Sequence, residues 1–337
     1  MKGQELLQLQ WRPYRFALPR SLITSRGALV HRCGWLLRLS GPDGSSAWGE
    51  AASPFQAALP PGSVFGFEND LAAVVAALPT ALERSALEGL IPQLPAPLAC
   101  GLGMALAELD GLGSDLRGGW RLPPASAWLL PAGQGALAGL EQLLADPCAI
   151  AEPPLTLKWK VATGPDVQER SLLEALLQRL PARSRLRLDA NGGWDRITAF
   201  QWADRLAGEQ RLEWLEQPLA PADRQGLELL AARLPVALDE SLPHLSAQQR
   251  EAWPGWLVRR PLQEGDPRPL LRQLEARAPR LMLSTAFETG IGRRFVAHLA
   301  ALQADGPTPT APGFAPGWRP GGDLFANEPL RVWEAVA

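Results

Sequence analysis

Lysine is nearly missing from this chain. Lys2, Lys158 and Lys160 are the three lysines in 337 residues, and the other 30 of the 33 lysine-plus-arginine positions are arginine. Cysteine and histidine are as scarce, at three each. Cys33, Cys100 and Cys148 contain no CxxC spacing, so we expect reduced thiols in a cytoplasmic setting rather than a disulfide framework. His31, His244 and His298 lie far apart, which argues against a histidine-built zinc site and reads each as an ordinary surface or core side chain. No uncharged apolar run approaches the roughly 20 residues of a membrane span. The opening MKGQELLQLQWRPYRF lacks the apolar stretch of a secretory signal, so no signal peptide is expected. Charge of one sign is not in excess either. A net charge of −2 with 46 % hydrophobic residues is that of a globular chain with no pull on nucleic acid or membrane surfaces. The Gly101-x-Gly103 pair never completes a GxGxxG loop and sits in an Ala/Leu-rich helical stretch, so it reads as packing rather than dinucleotide binding.

What the chain does have is a series of charged residues at strand ends. In Arg185–Trp194, RLRLDANGGW, Leu186 and Leu188 alternate with Arg185, Arg187 and Asp189, the period of a β-strand. Turn formers Asn191, Gly192 and Gly193 follow, which places Asp189 at the strand's C-terminal tip. Glu216, before Gln217-Pro218, ends another apolar run 27 residues on, and Asp239 ends a third after 23 more. Lys158-Trp159-Lys160 closes a strand upstream, and Arg259-Arg260-Pro261 closes one downstream. Such intervals suit one strand, one helix and two loops. One charged group per unit, always at the strand end, is how a (β/α) barrel builds an active site.

Residues 5–55 read as β-rich, with a Gly41–Gly44 turn joining Trp35–Leu39 to Ala47–Ala51 as a hairpin. Ala17–Gly27 reads as a loop long enough to move over something. Residues 68–117 carry helical apolar spacing. Candidate strands follow at 126–130, 155–161, 185–189, 212–216, 236–239, 256–260, 280–284 and, weakly, 308–312, with helical segments at 167–179, 196–207, 224–233 and 267–277. The architecture implied is a β-rich N-terminal module with helices, followed by an α/β barrel.

Taken singly, each strand-end carboxylate could cap a helix or pair with arginine. Three converging on one mouth would repel one another unless a cation neutralised them. An all-oxygen set suits a hard divalent ion, Mg²⁺ before Ca²⁺. Lys158 and Lys160, at i and i+2, share one face of their strand. In a chain that uses arginine almost everywhere, two lysines at one strand tip point to a group that must be able to lose a proton. Lys160, nearer the mouth, is the expected base and Lys158 its modulator, with neighbouring cations depressing the lysine pKa. A lysine base beside a metal site defines proton abstraction next to a carboxylate.

These residues resemble the enolase superfamily and, within it, the o-succinylbenzoate synthase family. The likeness lies in Lys158-Trp-Lys160, Leu188-Asp189-Ala-Asn191, Leu215-Glu216-Gln-Pro218 and Leu238-Asp239-Glu-Ser241. Pro19–Thr24 with Gly27 resembles that family's capping loop, and Ser284-Thr285 with Glu288–Gly292 resembles its pocket-lining seventh strand. The resemblance implies a TIM-type (β/α) barrel with an N-terminal α+β capping domain: cap at 1–120, barrel at 121–317, and 318–337 packing back on the cap. It also implies Mg²⁺ on Asp189, Glu216 and Asp239, with Lys160 dehydrating 2-succinyl-6-hydroxy-2,4-cyclohexadiene-1-carboxylate to 2-succinylbenzoate in menaquinone or phylloquinone biosynthesis. The substrate is then a small anion, contacted by Asn191, Ser284 and Thr285. Arg187, inward by strand parity, would suit it too. The oligomeric state stays open. Arg260 stands where the family has a second lysine; it can serve as a cation but not as a proton-exchanging group. Racemisation of N-acylamino acids or dipeptides, which needs a second base, and an inactive binding protein on the same scaffold are the competing readings.

Overall fold

The computed structural model describes residues 5–24, 27–54, 71–147 and 154–336. Strands β1 (Leu6–Thr24), β2 (Gly27–Ser40), β3 (Ser46–Ala52) and β4 (Ala81–Glu83) form an antiparallel sheet in the order β3-β2-β1-β4. Its alternation is that of a half-buried sheet: Leu7 and Leu9 are buried while Leu6, Gln8 and Gln10 are exposed. Residues 71–77 are helical, and helices α1 (Arg84–Leu90) and α2 (Ala96–Leu109) complete the layer. A Cβ on Gly49 would lie 1.8 Å from the Gly101 carbonyl oxygen, and one on Gly103 would lie 2.3 Å from Asp266 Oδ1. Gly101 therefore lets α2 rest directly on β3, and Gly103 lets the same helix rest on Asp266 and Pro267 of the barrel, so the pair is a packing device.

The stretch expected as a loop at Ala17–Gly27 is strand through Thr24 and again from Gly27. Leu22 pairs with Leu29, Ile23 with Ala28 and Thr24 with Gly27, after a register shift between Ala17 and Leu22. The reason is burial: Leu18, Leu22 and Leu29 seat against Leu129, Phe287, Ala315 and Trp318 of the barrel. That contact outweighs Pro19 and Arg20, which the irregularity absorbs. Residues 25 and 26 lie outside the described residues, as do 68–70 and Cys148. Cys33 and Cys100 are thiols, and Cys33 Sγ lies 3.1 Å from Ser53 Oγ.

From residue 128 the chain forms a curled parallel sheet of seven strands in sequence order. These are β5 (Trp128–Leu129), β6 (Thr156–Lys160), β7 (Arg185–Asp189), β8 (Leu212–Glu216), β9 (Val236–Leu238), β10 (Trp256–Arg259) and β11 (Leu281–Leu283). Helices α3 (Gly135–Leu144), α4 (Asp166–Arg179), α5 (Arg196–Leu206), α6 (Arg224–Ala231), α7 (Ala247–Glu251), α8 (Arg268–Glu275) and α9 (Gly290–Ala304) intervene or follow. Alternate residues divide between two environments. Leu157 and Trp159 face the helical shell, whereas Trp214, Ala237, Val258 and Met282 cluster inside the barrel.

The eighth strand expected at 308–312 is reduced to one bridge between Ser284 and Gly313. Pro307, Pro309 and Pro312 have no N–H to give a ladder. The ring still closes. Gly313 N donates to Leu283 O at 2.8 Å and Ala127 N to Pro312 O at 2.9 Å. Beyond it, α10 (Pro329–Glu334) returns to the first sheet, where Arg12 Nη1 donates to Trp333 O at 2.8 Å. The rings of Trp48 and Trp333 meet edge to face at 5.6 Å. Among the described residues no helix is long and apolar enough to cross a membrane.

Candidate active site

Register assembles the site. Lys160 lies beside Asp189 across β6–β7, and Asp189 beside Glu216 across β7–β8. Lys158 Nζ sits 2.8 Å from Asp189 Oδ2 and 2.6 Å from Glu216 Oε1. Lys160 Nζ donates to the same Asp189 oxygen at 2.9 Å and to Asn191 Oδ1 at 2.7 Å. Asn191, in the left-handed region at φ 47°, turns back over the strand end. Its N–H donates to Asp189 Oδ1 and its amide to Glu240 Oε1. Gln217, also left-handed at φ 38°, accepts from Asp239 N and Ser241 N through Oε1 and so fixes the β9 tip. Backbone held in this region marks a segment whose surroundings over-determine it.

Asp239 belongs to Arg260. Nε of Arg260 lies 3.0 and 3.1 Å from the two carboxylate oxygens, and Nη2 lies 2.6 Å from Oδ2. The same Nη2 is 3.9 Å from Glu216 Oε1. Each carboxylate thus faces a protein cation, and electrostatics follows from that. Burial would raise the Asp189 pKa, but Lys158 and Lys160 hold it far below the usual carboxylate range. Glu216 is pushed up by burial and by Asp189. Burial would lower Lys158, yet Asp189 and Glu216 outweigh it and raise the pKa. The expected depression of a lysine pKa is therefore not found at Lys158, because acidic neighbours dominate its surroundings. Asp239 and Glu216 likewise overcome burial and raise Arg260 further above its ordinary value.

The arrangement bears on a metal in two ways. Among the described residues, no three acidic, histidine or cysteine side chains stand at ligating positions around one point. Yet the donors fit a hard divalent ion: three buried or nearly buried carboxylates on adjacent strand tips, all oxygen, two of them already converging on one ammonium. Asp189, Glu216 and Asp239 are the residues that would hold it.

Above these groups opens a cavity of about 380 Å³. Lys158, Lys160, Asn191, Asp239, Arg260, Ser284 and Thr285 line its polar part, and Leu22, Leu29, Leu129, Phe287 and Ala315 its apolar part. Ser284 and Thr285 are there as expected, although their hydroxyls donate to Gly313 O at 3.3 Å and Glu288 Oε2 at 2.8 Å. Arg187 is not among the lining residues, contrary to the expectation from parity. Its direction is inward, but its level is the layer beneath. Nε donates to Glu213 Oε2 at 2.6 Å, Nη2 to Thr310 Oγ1 at 2.9 Å and Ala311 O at 2.8 Å, and the guanidinium stacks on Trp214 at 4.1 Å. A shift in the β7–β8 register leaves Glu213 as an extra residue that meets it.

Sequence reasoning also passed over several residues. His244 lines the cavity instead of being a bystander, as do Glu240 and Gln263. Glu50 is remote but buried, accepting from Tyr14 Oη at 2.6 Å, Thr289 N at 3.0 Å and Gly292 N at 3.0 Å. It ties β3 to the start of α9, just after Thr285–Phe287. A lone glutamate in a strand carries no pattern that would reveal this.

The family model for the enolase C-terminal domain-like fold matches residues 155–252. The o-succinylbenzoate synthase of Thermosynechococcus vestitus is 34 % identical over 303 residues, 87 % of this chain and 88 % of that protein. The chain belongs to the o-succinylbenzoate synthase family of the enolase superfamily. A solved o-succinylbenzoate synthase from Thermosynechococcus elongatus BP-1, complexed with Mg in the active site, superposes with TM-score 0.76 at 31 % identity, covering 97 % of this chain and 99 % of that one. The L-Ala-D/L-Glu epimerase of Bacillus subtilis, at TM-score 0.73 and 17 % identity over 95 % of this chain and 92 % of that one, shares the enolase-superfamily fold.

Proposed function

We propose that this chain is an o-succinylbenzoate synthase, a hydro-lyase converting 2-succinyl-6-hydroxy-2,4-cyclohexadiene-1-carboxylate to 2-succinylbenzoate in cytoplasmic menaquinone or phylloquinone biosynthesis. The observation that carries it is Lys160 Nζ in the cavity wall, between Asp189 and Asn191, in a chain with three lysines. Residues 1–120 act as the cap, 121–317 as the barrel and 318–337 as a returning tail, a division supported by the Arg12–Trp333 contact.

In this reading Asp189, Glu216 and Asp239 hold Mg²⁺, which supplies positive charge to the substrate carboxylate as it gains electron density. Lys160 accepts the proton from the carbon bearing that carboxylate. The ammonium so formed returns a proton to the departing hydroxyl, which leaves as water while the ring becomes aromatic. Lys158 keeps Asp189 and Glu216 oriented. Asn191 aims Lys160 through a 2.7 Å hydrogen bond. Arg260 presents a guanidinium at the opposite side of the mouth, where it can stabilise an electron-rich ring by stacking. Leu22, Leu29 and Phe287 keep water from the reacting face.

A Mg²⁺-dependent loss of the cyclohexadiene chromophore tests the assignment. Turnover of that substrate with release of 2-succinylbenzoate is expected. No loss of absorbance at any Mg²⁺ concentration, with a folded protein, overturns it.

A further inference from the structure

We propose that Arg260 competes with a divalent ion for Asp239, so that the strength of metal binding is set by a protein cation that has first to loosen its grip. This deepens the reading in which Asp189, Glu216 and Asp239 hold Mg²⁺, and it rests on that reading. The three carboxylates differ in how they are held. Asp189 shares its Oδ2 between Lys158 and Lys160, and Glu216 Oε1 meets Lys158. An ammonium is a point charge on a flexible stem, and a small turn re-aims it. Asp239 is held by a planar fork instead. Nε of Arg260 reaches both of its oxygens, at 3.1 Å to Oδ1 and 3.0 Å to Oδ2, and Nη2 adds a 2.6 Å contact to Oδ2. Among the described residues, Arg260 is the cation paired with this carboxylate.

The guanidinium is fixed from its far side as well. Nη1 donates to Thr285 O at 2.7 Å, and the Arg260 N–H donates to Glu264 Oε1 at 2.6 Å. The side chains of Arg260 and Asp239 are 14 % and 11 % exposed, so solvent screens their attraction little. Nη2 also stands 3.9 Å from Glu216 Oε1, which brings the same positive nitrogen close to two of the three carboxylates.

Mg²⁺ takes its oxygen ligands directly, at about 2.0–2.1 Å, and tolerates little departure from octahedral geometry. An ion on Asp239 therefore either takes a lone pair that the fork now uses or accepts a guanidinium charge close beside it. Both weaken binding. A lysine at this position would keep the charge on a single nitrogen and so give way more readily. The fork also has a use of its own: it leaves the nearly buried Asp239 carboxylate compensated whether or not an ion is bound.

The test is calorimetric titration of Mg²⁺ into the full-length protein, cleared of metal with EDTA, and into its Arg260→Met and Arg260→Lys variants. Titration with Mn²⁺, followed by electron paramagnetic resonance, counts the bound ions directly. Arg260→Met should bind Mg²⁺ more tightly than the parent by about tenfold or more, since an adjacent positive charge and its fork are both gone. Arg260→Lys, which keeps the charge but not the fork, should fall between the two. In EDTA, Arg260→Met should melt below the parent, because Asp239 is left uncompensated, and Mg²⁺ should raise its melting temperature by more than it raises the parent's. A parent that binds Mg²⁺, with an Arg260→Met variant that binds it no more tightly, overturns this assignment and leaves the metal reading standing. Tighter binding by Arg260→Met with Arg260→Lys at the parent's affinity makes the effect one of charge alone and overturns the role of the fork. Should Arg260→Met fail to fold, Arg260→Lys at the parent's affinity overturns it as well. A parent that binds neither Mg²⁺ nor Mn²⁺ overturns the metal reading, and this assignment with it.

Discussion

Arg260 grips Asp239 with a fork, Nε at 3.0 Å and Nη2 at 2.6 Å from the same carboxylate oxygen, while its Nη1 donates to Thr285 O at 2.7 Å. A lysine has one nitrogen and could not make all three contacts. An arginine just after β10 thus holds its neighbours firmly and cannot pass protons at neutral pH.

Racemisation needs a proton delivered from the face opposite Lys160, and Arg260 cannot deliver it. Incubation with N-succinyl-L-phenylglycine in deuterated buffer should leave the stereocentre intact, read by chiral chromatography. Arg260→Lys should introduce slow inversion with deuterium uptake. Fast inversion by the parent protein would show a second base elsewhere in the cavity.

Asp239→Asn keeps shape but removes the charge that both Arg260 and a divalent ion require. Activity should be lost while circular dichroism stays that of the parent. Chelation with EDTA should abolish turnover and added Mg²⁺ should restore it. An EDTA-treated enzyme of full activity would remove the metal from the mechanism.

Lys160→Arg retains the cation beside Asp189 but removes the proton acceptor. A fall in kcat of roughly 10²–10⁴-fold is expected for loss of general acid–base catalysis. Lys158→Arg, which can still bridge Asp189 and Glu216, should cost less. Equal and small effects would leave Lys160 without its assigned role.

Two glycines should respond in opposite directions. Gly49→Ala forces a Cβ to 1.8 Å from Gly101 O and should destabilise the fold by at least about 1–3 kcal/mol, as overpacking does. Gly89→Ala meets nothing within 4 Å on α1 and should gain up to about 1 kcal/mol from helix propensity. Urea melts of both variants measure this, and a stable Gly49→Ala protein would contradict the close packing of α2 on β3.

Burial raises the Glu50 pKa above its reference of 4.5, despite the donors of Thr289 and Tyr14. A raised carboxyl pKa means the folded state binds more protons than the unfolded state across the interval between the two values. Stability contributed by the protonated form is then present below pH 4.5 and lost as pH rises through the folded value. The stability of the parent protein relative to Glu50→Gln should accordingly fall with rising pH over that interval. Denaturant melts at successive pH values read it, and a relative stability that rises instead would show a depressed Glu50.

The strand tips were legible because period-two alternation ends at Pro218, Pro261 and Gly192, and those residues mark where side chains leave the sheet. The lysine pair was legible through scarcity. Level within the barrel was not: Arg187 and Asp189 have the same parity, but one lies below the cavity floor, and only the register shift at Glu213 settles that. The pairing of Leu22–Thr24 with Gly27–Leu29 is not legible because its packing partners Phe287 and Trp318 lie far along the chain. Glu50 is invisible for the same reason, since its meaning comes from Thr289, 239 residues further on.

The seating of Trp333 against Arg12 and Trp48 also orders events during synthesis. The first sheet is made early, but its Trp48 edge gains its cover only when residues 329–334 emerge, after the whole barrel. At about 5–20 residues per second the interval is on the order of tens of seconds. Throughout it the ribosome-bound chain presents an indole that the finished protein buries.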